Sequence, residues 1–276
     1  MHQILCSTGA IIGRPNGRDF RLLEKLKQQI SCDGFEFMMY STWRDKVDEL
    51  LDYLKSIELY TPVMHCEKSV GENISMGNDK TLLSDAISVF ELNCKIAKSI
   101  AAKKLVLHLW GGKTSDKHFD INKTAFKVLS DIADDYNIDL LVENIVCTEK
   151  DPFLRWTELF DLYPNIHFVF DTKMAEFHDQ LYLLYSDEYS WLWKGDHIKH
   201  FHINDYAGGY KEWERLVTLP IGNGHVDFDK FFNFFNKNSK ADTLTIESTA
   251  FDKNGVVDIK MLNDQVQYIK SKLRNE

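Results

Sequence analysis

The sequence predicts an α/β fold: a single (β/α)8 barrel spanning residues 1–276. Three observations predict it. Short apolar, β-prone runs alternate from end to end with longer segments whose apolar residues recur every three or four positions. Each of the eight runs but the last is followed by a helical segment before the next begins, and a closing helix follows the eighth. No Pro/Gly/Ser-rich linker, low-complexity tract or charge run divides the chain, and barrels of about 250 residues fold as one unit.

The elements follow in order. "QILCSTG" (3–9) leads into "RDFRLLEKLKQQI", and "CDGFEFMMY" (32–40) into "WRDKVDELLDYLKSI". "PVMHC" (62–66) precedes the longest helical segment, "LLSDAISVFELNCKIAKSIAAKK". The next strands are "KLVLHL" (104–109), "IDLLVEN" (138–144) and "IHFVFDT" (166–172). "IKHFHIND" (198–205) is followed by one long connection, "YAGGYKEWERLVTLPIGNG" (206–224), of the length that usually carries function. "DFDKFFNFFNKN" then opens on the candidate cap Asp227. "DTLTIES" (242–248) is the last strand, and "KMLNDQVQYIKSKL" closes the chain. An open doubly wound sheet would carry a GxGxxG turn after the first strand, and "STGAIIGRPNG" lacks that spacing.

Composition narrows the function. The chain is 44% hydrophobic and 27% charged, as in an ordinary soluble globular protein. A net charge of −9 argues against a polyanion binder, so nucleic acid is not the expected partner. Five cysteines form no CxxC pair, and the N-terminus has no basic leader with an apolar run, which points to reduced thiols in a cytoplasm. No apolar stretch reaches the roughly 18 residues that span a membrane.

In an α/β barrel the C-terminal ends of the strands converge. Here those ends read Glu36, His65, His108, Glu143, Asp171, His202 and Glu247. Taken singly, a strand-end carboxylate such as Asp171 can simply cap a helix, and a strand histidine is most often a bonded core residue. As a set, four carboxylates and three imidazoles would repel and desolvate one another, and a bound cation removes that cost. Glu143 shares a strand face with Leu141, Asp171 with Val169, and Glu247 with Thr245. His202 shares its face with His200, which is expected to be structural, leaving His202 as the ligand candidate.

The motifs "LLVENI", "FVFDTKMAEFH", "FHINDYAGG", "LPIGNGHVDF" and "LTIES" resemble the xylose isomerase-like TIM barrels, in particular the sugar-phosphate isomerase/epimerase branch, and so does "ELNCKIAKSIAAKKLVLHLWGG". The resemblance covers nearly the whole chain, in order. It implies one divalent metal held by Glu143, Asp171, His202 and Glu247. That oxygen-rich set favours Mn²⁺ or Mg²⁺, with Co²⁺ or Zn²⁺ as alternatives. Two departures stand out: Met174 replaces a histidine common after the strand-six aspartate, and Gly208 replaces an arginine of the 3-epimerase branch. Lys173, Lys113 and Arg215 are the candidates to make the lost contacts.

The chemistry implied is proton abstraction beside a carbonyl of a ketose, sugar phosphate or inosose, by way of an enediolate. Glu143 and Glu247 would remove and return the proton. His65, His108, Glu36, Trp110 and Lys173 are the candidate substrate contacts. For Glu36 the alternative is bracing a lysine or arginine, for Trp110 and Trp43 it is loop packing, and His225 is a further residue of the "GNGHVDFD" turn. A related inosose-type dehydratase, a non-catalytic sugar-binding barrel and an abasic-site endonuclease are the competing readings. The last would need three zinc ions and ligands that Met174 and "ERLVTLPIGNG" do not supply. A small carbohydrate is the expected partner, and related barrels often form homo-oligomers.

Overall fold

A computed structural model describes residues 2–77 and 79–273. Eight strands close a barrel in sequence order, β1 to β8. They are Gln3–Ser7 (β1), Gly34–Met38 (β2), Val63–His65 (β3), Lys104–Leu107 (β4), Asp139–Glu143 (β5), His167–Asp171 (β6), Ile198–Ile203 (β7) and Thr243–Ile246 (β8). Every pairing described is parallel, with helices between the strands, as the alternating pattern predicts.

The strands are shorter than the apolar runs, and side chains explain where some of them stop. The Ser7 hydroxyl accepts from Gly9 N and turns the chain into a short helix, Thr8–Ile11, so "TG" is helical rather than extended. Asp171 ends β6 by accepting from Met174 N at 3.0 Å, capping the helix Thr172–Phe177. His108 and Glu247 lie just past β4 and β8. The segment "RDFRLLEKLKQQI" also departs from expectation. It forms a 3₁₀ turn, Phe20–Leu22, held by Asp19, and only five residues of α-helix, Leu23–Lys27. Asp227 caps the helix Phe228–Asn238 as predicted, accepting from Lys230 N, and Asp258 caps the closing helix Ile259–Lys272.

The chain divides into two compact units, and the cuts fall inside β2 and β6. The first comprises Met1–Glu36 and Phe170–Glu276. In it β1 pairs with β2 and β8, and β7 pairs with β8. The register sets Ser7 beside Glu36, His200 beside Thr243 and His202 beside Thr245. Paired residues in a parallel sheet share a face, so Glu247, two past Thr245, continues the side that carries His202. Phe201, Phe231 and Phe235 pack edge-to-face under the sheet, and Leu262, Val266 and Ile269 of the closing helix are fully buried.

The second unit, Phe37–Val169, holds β3, β4, β5 and most of β6. Its register sets His65 beside Val106, Val106 beside Leu141 and Glu143 beside Val169. His108, two past Val106, therefore arrives level with Glu143. Gly71 is obligatory here: a Cβ would sit 2.0 Å from the His108 carbonyl oxygen, so the helix Ser69–Ser75 presses directly on the segment that carries His108. Trp156 stacks between Phe153 and Phe168 in the core. Among the described residues no helix is long and apolar enough to cross a membrane.

Candidate metal centre

In the first unit, Asp171, His202 and Glu247 meet. One donor atom of each lies within 4.8 Å of the others. Asp171 and His202 are fully buried and the Glu247 side chain is 16% exposed. Asn204 organises the group. Its Nδ2 donates to Asp171 Oδ2 and to Glu247 Oε2, both at 3.2 Å, while its Oδ1 accepts from Glu247 N at 3.2 Å. Asn204 is itself fixed by Thr172, whose hydroxyl donates to Asn204 O at 2.6 Å and accepts from Asn204 N at 3.0 Å. Asp171 therefore has both roles weighed for it, with Oδ1 capping the helix and Oδ2 facing the cluster. Sequence reading passed over Asn204. The only signal was an amide placed two residues beyond His202, on the same side of the chain.

Beneath this group lies Glu36, fully buried. Its Oε2 is 2.9 Å from His200 Nε2 and 3.2 Å from His202 Nε2. The basic partner expected for Glu36 is thus a pair of histidines rather than a lysine or arginine, because the register brings β7 to it. Burial alone would raise the Glu36 carboxyl. Its two imidazole neighbours, His202 foremost and then His200, outweigh that and hold it well below the usual carboxylate range. His200 Nδ1 lies 2.7 Å from Thr243 Oγ1, and Thr245 Oγ1 lies 3.0 Å from His200 Nε2. Glu36 Oε1 is buried with no hydrogen-bond partner.

In the second unit, Glu143 receives both remaining strand-end histidines. His108 Nε2 lies 2.7 Å and His65 Nε2 3.5 Å from Glu143 Oε2, with the two rings edge-to-face at 4.8 Å. His65 Nδ1 is 2.8 Å from Cys66 O, an acceptor, so that nitrogen carries the proton. Burial, only partly offset by Glu143, lowers the His108 imidazole to about 4. An unfolded His108 titrates near 6.5. Between these values the unfolded chain binds the extra proton, so His108 favours the fold above pH 6.5 and that contribution drains away as pH falls towards 4. The loss is on the order of 3 kcal/mol. Metal-free His108→Asn should show a flatter fall in urea midpoint between pH 7 and pH 5 than the wild type. Equal slopes would contradict this placement of the imidazole.

The other candidates divide. Trp110 is fully buried, its indole N–H donates to Val146 O at 3.1 Å and its ring packs on Phe119, so loop packing replaces the predicted sugar contact. Trp43 is likewise buried, against Phe37 and Tyr40. Lys173 is 7% exposed, and its ammonium donates to Thr218 Oγ1 at 3.0 Å. Lys113 and Arg215 are exposed. His225 reaches Glu176 at 3.4 Å. At Gly208 a Cβ would lie 2.3 Å from the Tyr206 hydroxyl, so Tyr206 fills the space an arginine there would need.

The loop motif "IGNG" also finds its cause. Asp205 accepts from Gly222 N and Gly224 N at 2.8 Å on one oxygen, and from Tyr206 N and Val226 N on the other. Gly222 needs its positive φ of 88°, and a Cβ at Gly224 would strike Tyr206 O at 2.2 Å.

A family model described as the xylose isomerase-like TIM barrel matches residues 25–271. No curated protein sequence matches the chain. Among solved structures, D-allulose 3-epimerase from Methylomonas sp. in complex with D-allulose superposes with a TM-score of 0.71 at 16% identity, over 98% of this chain and 97% of that one. The IOLI protein with a bound zinc atom gives 0.75 at 16% identity, over 99% and 100%. The 3-keto-D-glucoside 4-epimerase from E. coli gives 0.63 at 14% identity, over 98% and 100%. At these identities the likeness is one of fold.

Proposed function

The chain belongs to the xylose isomerase-like TIM barrel family, and from that premise we propose that it is a divalent-metal-dependent carbohydrate isomerase or epimerase. The observation that carries the reading is the convergence of Asp171, His202 and Glu247 around Asn204. The motif "LLVENI" supplies Glu143 as the fourth member of the proposed set. Three carboxylates and one imidazole form a hard, oxygen-rich donor set, which favours Mn²⁺ or Mg²⁺ over Zn²⁺ or Co²⁺. The group also fits a cation on its own terms. The Asp171 and Glu247 carboxylates share one amide donor in a largely buried setting, and a positive charge offsets their repulsion. A bound zinc atom in one structure of the same fold and D-allulose in another support a metal and a sugar.

When bound, the cation polarises a substrate carbonyl and acidifies the neighbouring C–H. Glu143 and Glu247 then act as the paired bases, one taking that proton and the other returning one. Return to the same carbon from the opposite face inverts it, and return to the neighbouring carbon isomerises. The short contact from His108 orients the Glu143 carboxylate, and Asn204 orients that of Glu247. Lys173 is the candidate substrate contact, with two N–H bonds beyond the one spent on Thr218. Five cysteines, four of them buried, accord with a reducing compartment, and burial pushes the Cys94 thiol up to about 12.

The reading is tested by incubating the Mn²⁺-supplemented protein with ketoses and inososes in D₂O and following the carbon beside the carbonyl by NMR. Deuterium should enter at that carbon for at least one sugar. Tight sugar binding with no exchange anywhere would instead indicate a non-catalytic sugar-binding barrel, and loss of water would indicate a dehydratase.

A further inference from the structure

We propose that Glu36 is a positioning residue that fixes the tautomer of His202, so that its Nδ1 is the nitrogen presented to a metal; this rests on the metal-centre reading above. His202 stands between two carboxylates. Its Nε2 lies 3.2 Å from Glu36 Oε2 and its Nδ1 lies 3.2 Å from Glu247 Oε2. A neutral imidazole has one proton, so it donates to one side and offers a lone pair to the other. Glu36 is fully buried and its Oε2, an acceptor, sits between two imidazole edges, with His200 Nε2 at 2.9 Å and His202 Nε2 at 3.2 Å. That makes it the committed acceptor, and it draws the proton to Nε2. Nδ1 is then left bare on the side of Asp171 and Glu247, where a cation needs a lone pair. Carboxylates that orient metal-binding histidines in this way are worth about 10- to 100-fold in metal affinity or activity.

The support continues below. His200 Nδ1 lies 2.7 Å from Thr243 Oγ1 and 3.1 Å from Thr243 O, contacts that hold the ring with its Nε2 edge against Glu36. Thr243, His200, Glu36 and His202 therefore form one hydrogen-bonded line, all of it buried, running up to the cluster. Register builds this line, since His200 pairs with Thr243 and His202 with Thr245. A lone glutamate on β2 gives no hint of it in sequence.

Two measurements test the proposal without relying on turnover. In the metal-free wild type at pH 7.5, side-chain ¹⁵N–¹H correlation spectra should show His202 protonated on Nε2; protonation on Nδ1 overturns the proposal. In Glu36→Gln, the amide can donate to Nε2 and drive the proton to Nδ1, so Mn²⁺ affinity by calorimetry should fall about 10- to 100-fold. Unchanged affinity in a folded Glu36→Gln overturns the positioning role. If the wild type binds no Mn²⁺, the metal-centre reading fails instead. The tautomer of His202 in the wild type then still decides the role of Glu36, as it does if the variant does not fold.

Discussion

Glu247→Gln is expected to lower the rate at which substrate and product sugars interconvert by about 10²- to 10⁴-fold, the range a positioned general base contributes. The substitution keeps the shape of the side chain. The backbone N–H of residue 247 still donates to Asn204 Oδ1, so the segment stays in place. What is lost is the basic oxygen now 3.2 Å from Asn204 Nδ2. Rates should be taken at saturating Mn²⁺, so that weaker metal binding does not pass for lost base catalysis. Glu143→Gln should behave alike, since each base is needed in one half of the reaction. A variant interconverting the sugars at the wild-type rate would remove that residue from the mechanism.

Arg155→Met is expected to destabilise the protein by about 3–5 kcal/mol, the penalty for leaving a buried charge without its partner. Asp116 is fully buried, and Arg155 reaches it through Nε at 2.8 Å and through a second nitrogen at 2.7 Å, while also donating to Asp116 O. The guanidinium packs over Phe119, 4.3 Å from the ring centre. Asp116 in turn accepts from the backbone N–H groups of Thr148, Glu149 and Lys150, pinning the segment that follows Glu143. Urea midpoints measure the effect. The double variant Asp116→Asn/Arg155→Met should recover part of the loss, because no bare charge remains. An Arg155→Met protein within about 1 kcal/mol of the wild type would show that the three amides suffice for Asp116.

The barrel was legible because each strand is a short apolar run bounded by a helical repeat, and that alternation survives at every position of the order. The strand ends were less so. Ser7 and Asp171 turn the chain into helix through their own side chains, a competition that apolar periodicity does not register. The ionisable residues of the candidate centre stood out because carboxylates and imidazoles are conspicuous at strand ends. Asn204 did not, since an uncharged amide acquires its role only when β6, β7 and β8 set Asp171 and Glu247 within its reach. Burial was the other blind spot. Trp110 reads as a ring beside a strand end, and only the Val146 carbonyl and Phe119 make it a packed one. Gly208 reads as a missing arginine, while the Tyr206 hydroxyl shows why no side chain fits there.

The most direct test of a metal centre built on Asp171, His202 and Glu247 is the metal content per chain, by elemental analysis after soaking in Mn²⁺ and desalting, for the wild type and Asp171→Asn in parallel. About one divalent ion per wild-type chain, with much less retained by Asp171→Asn, is the predicted result. No retained ion in the wild type, or equal retention by both proteins, would contradict it.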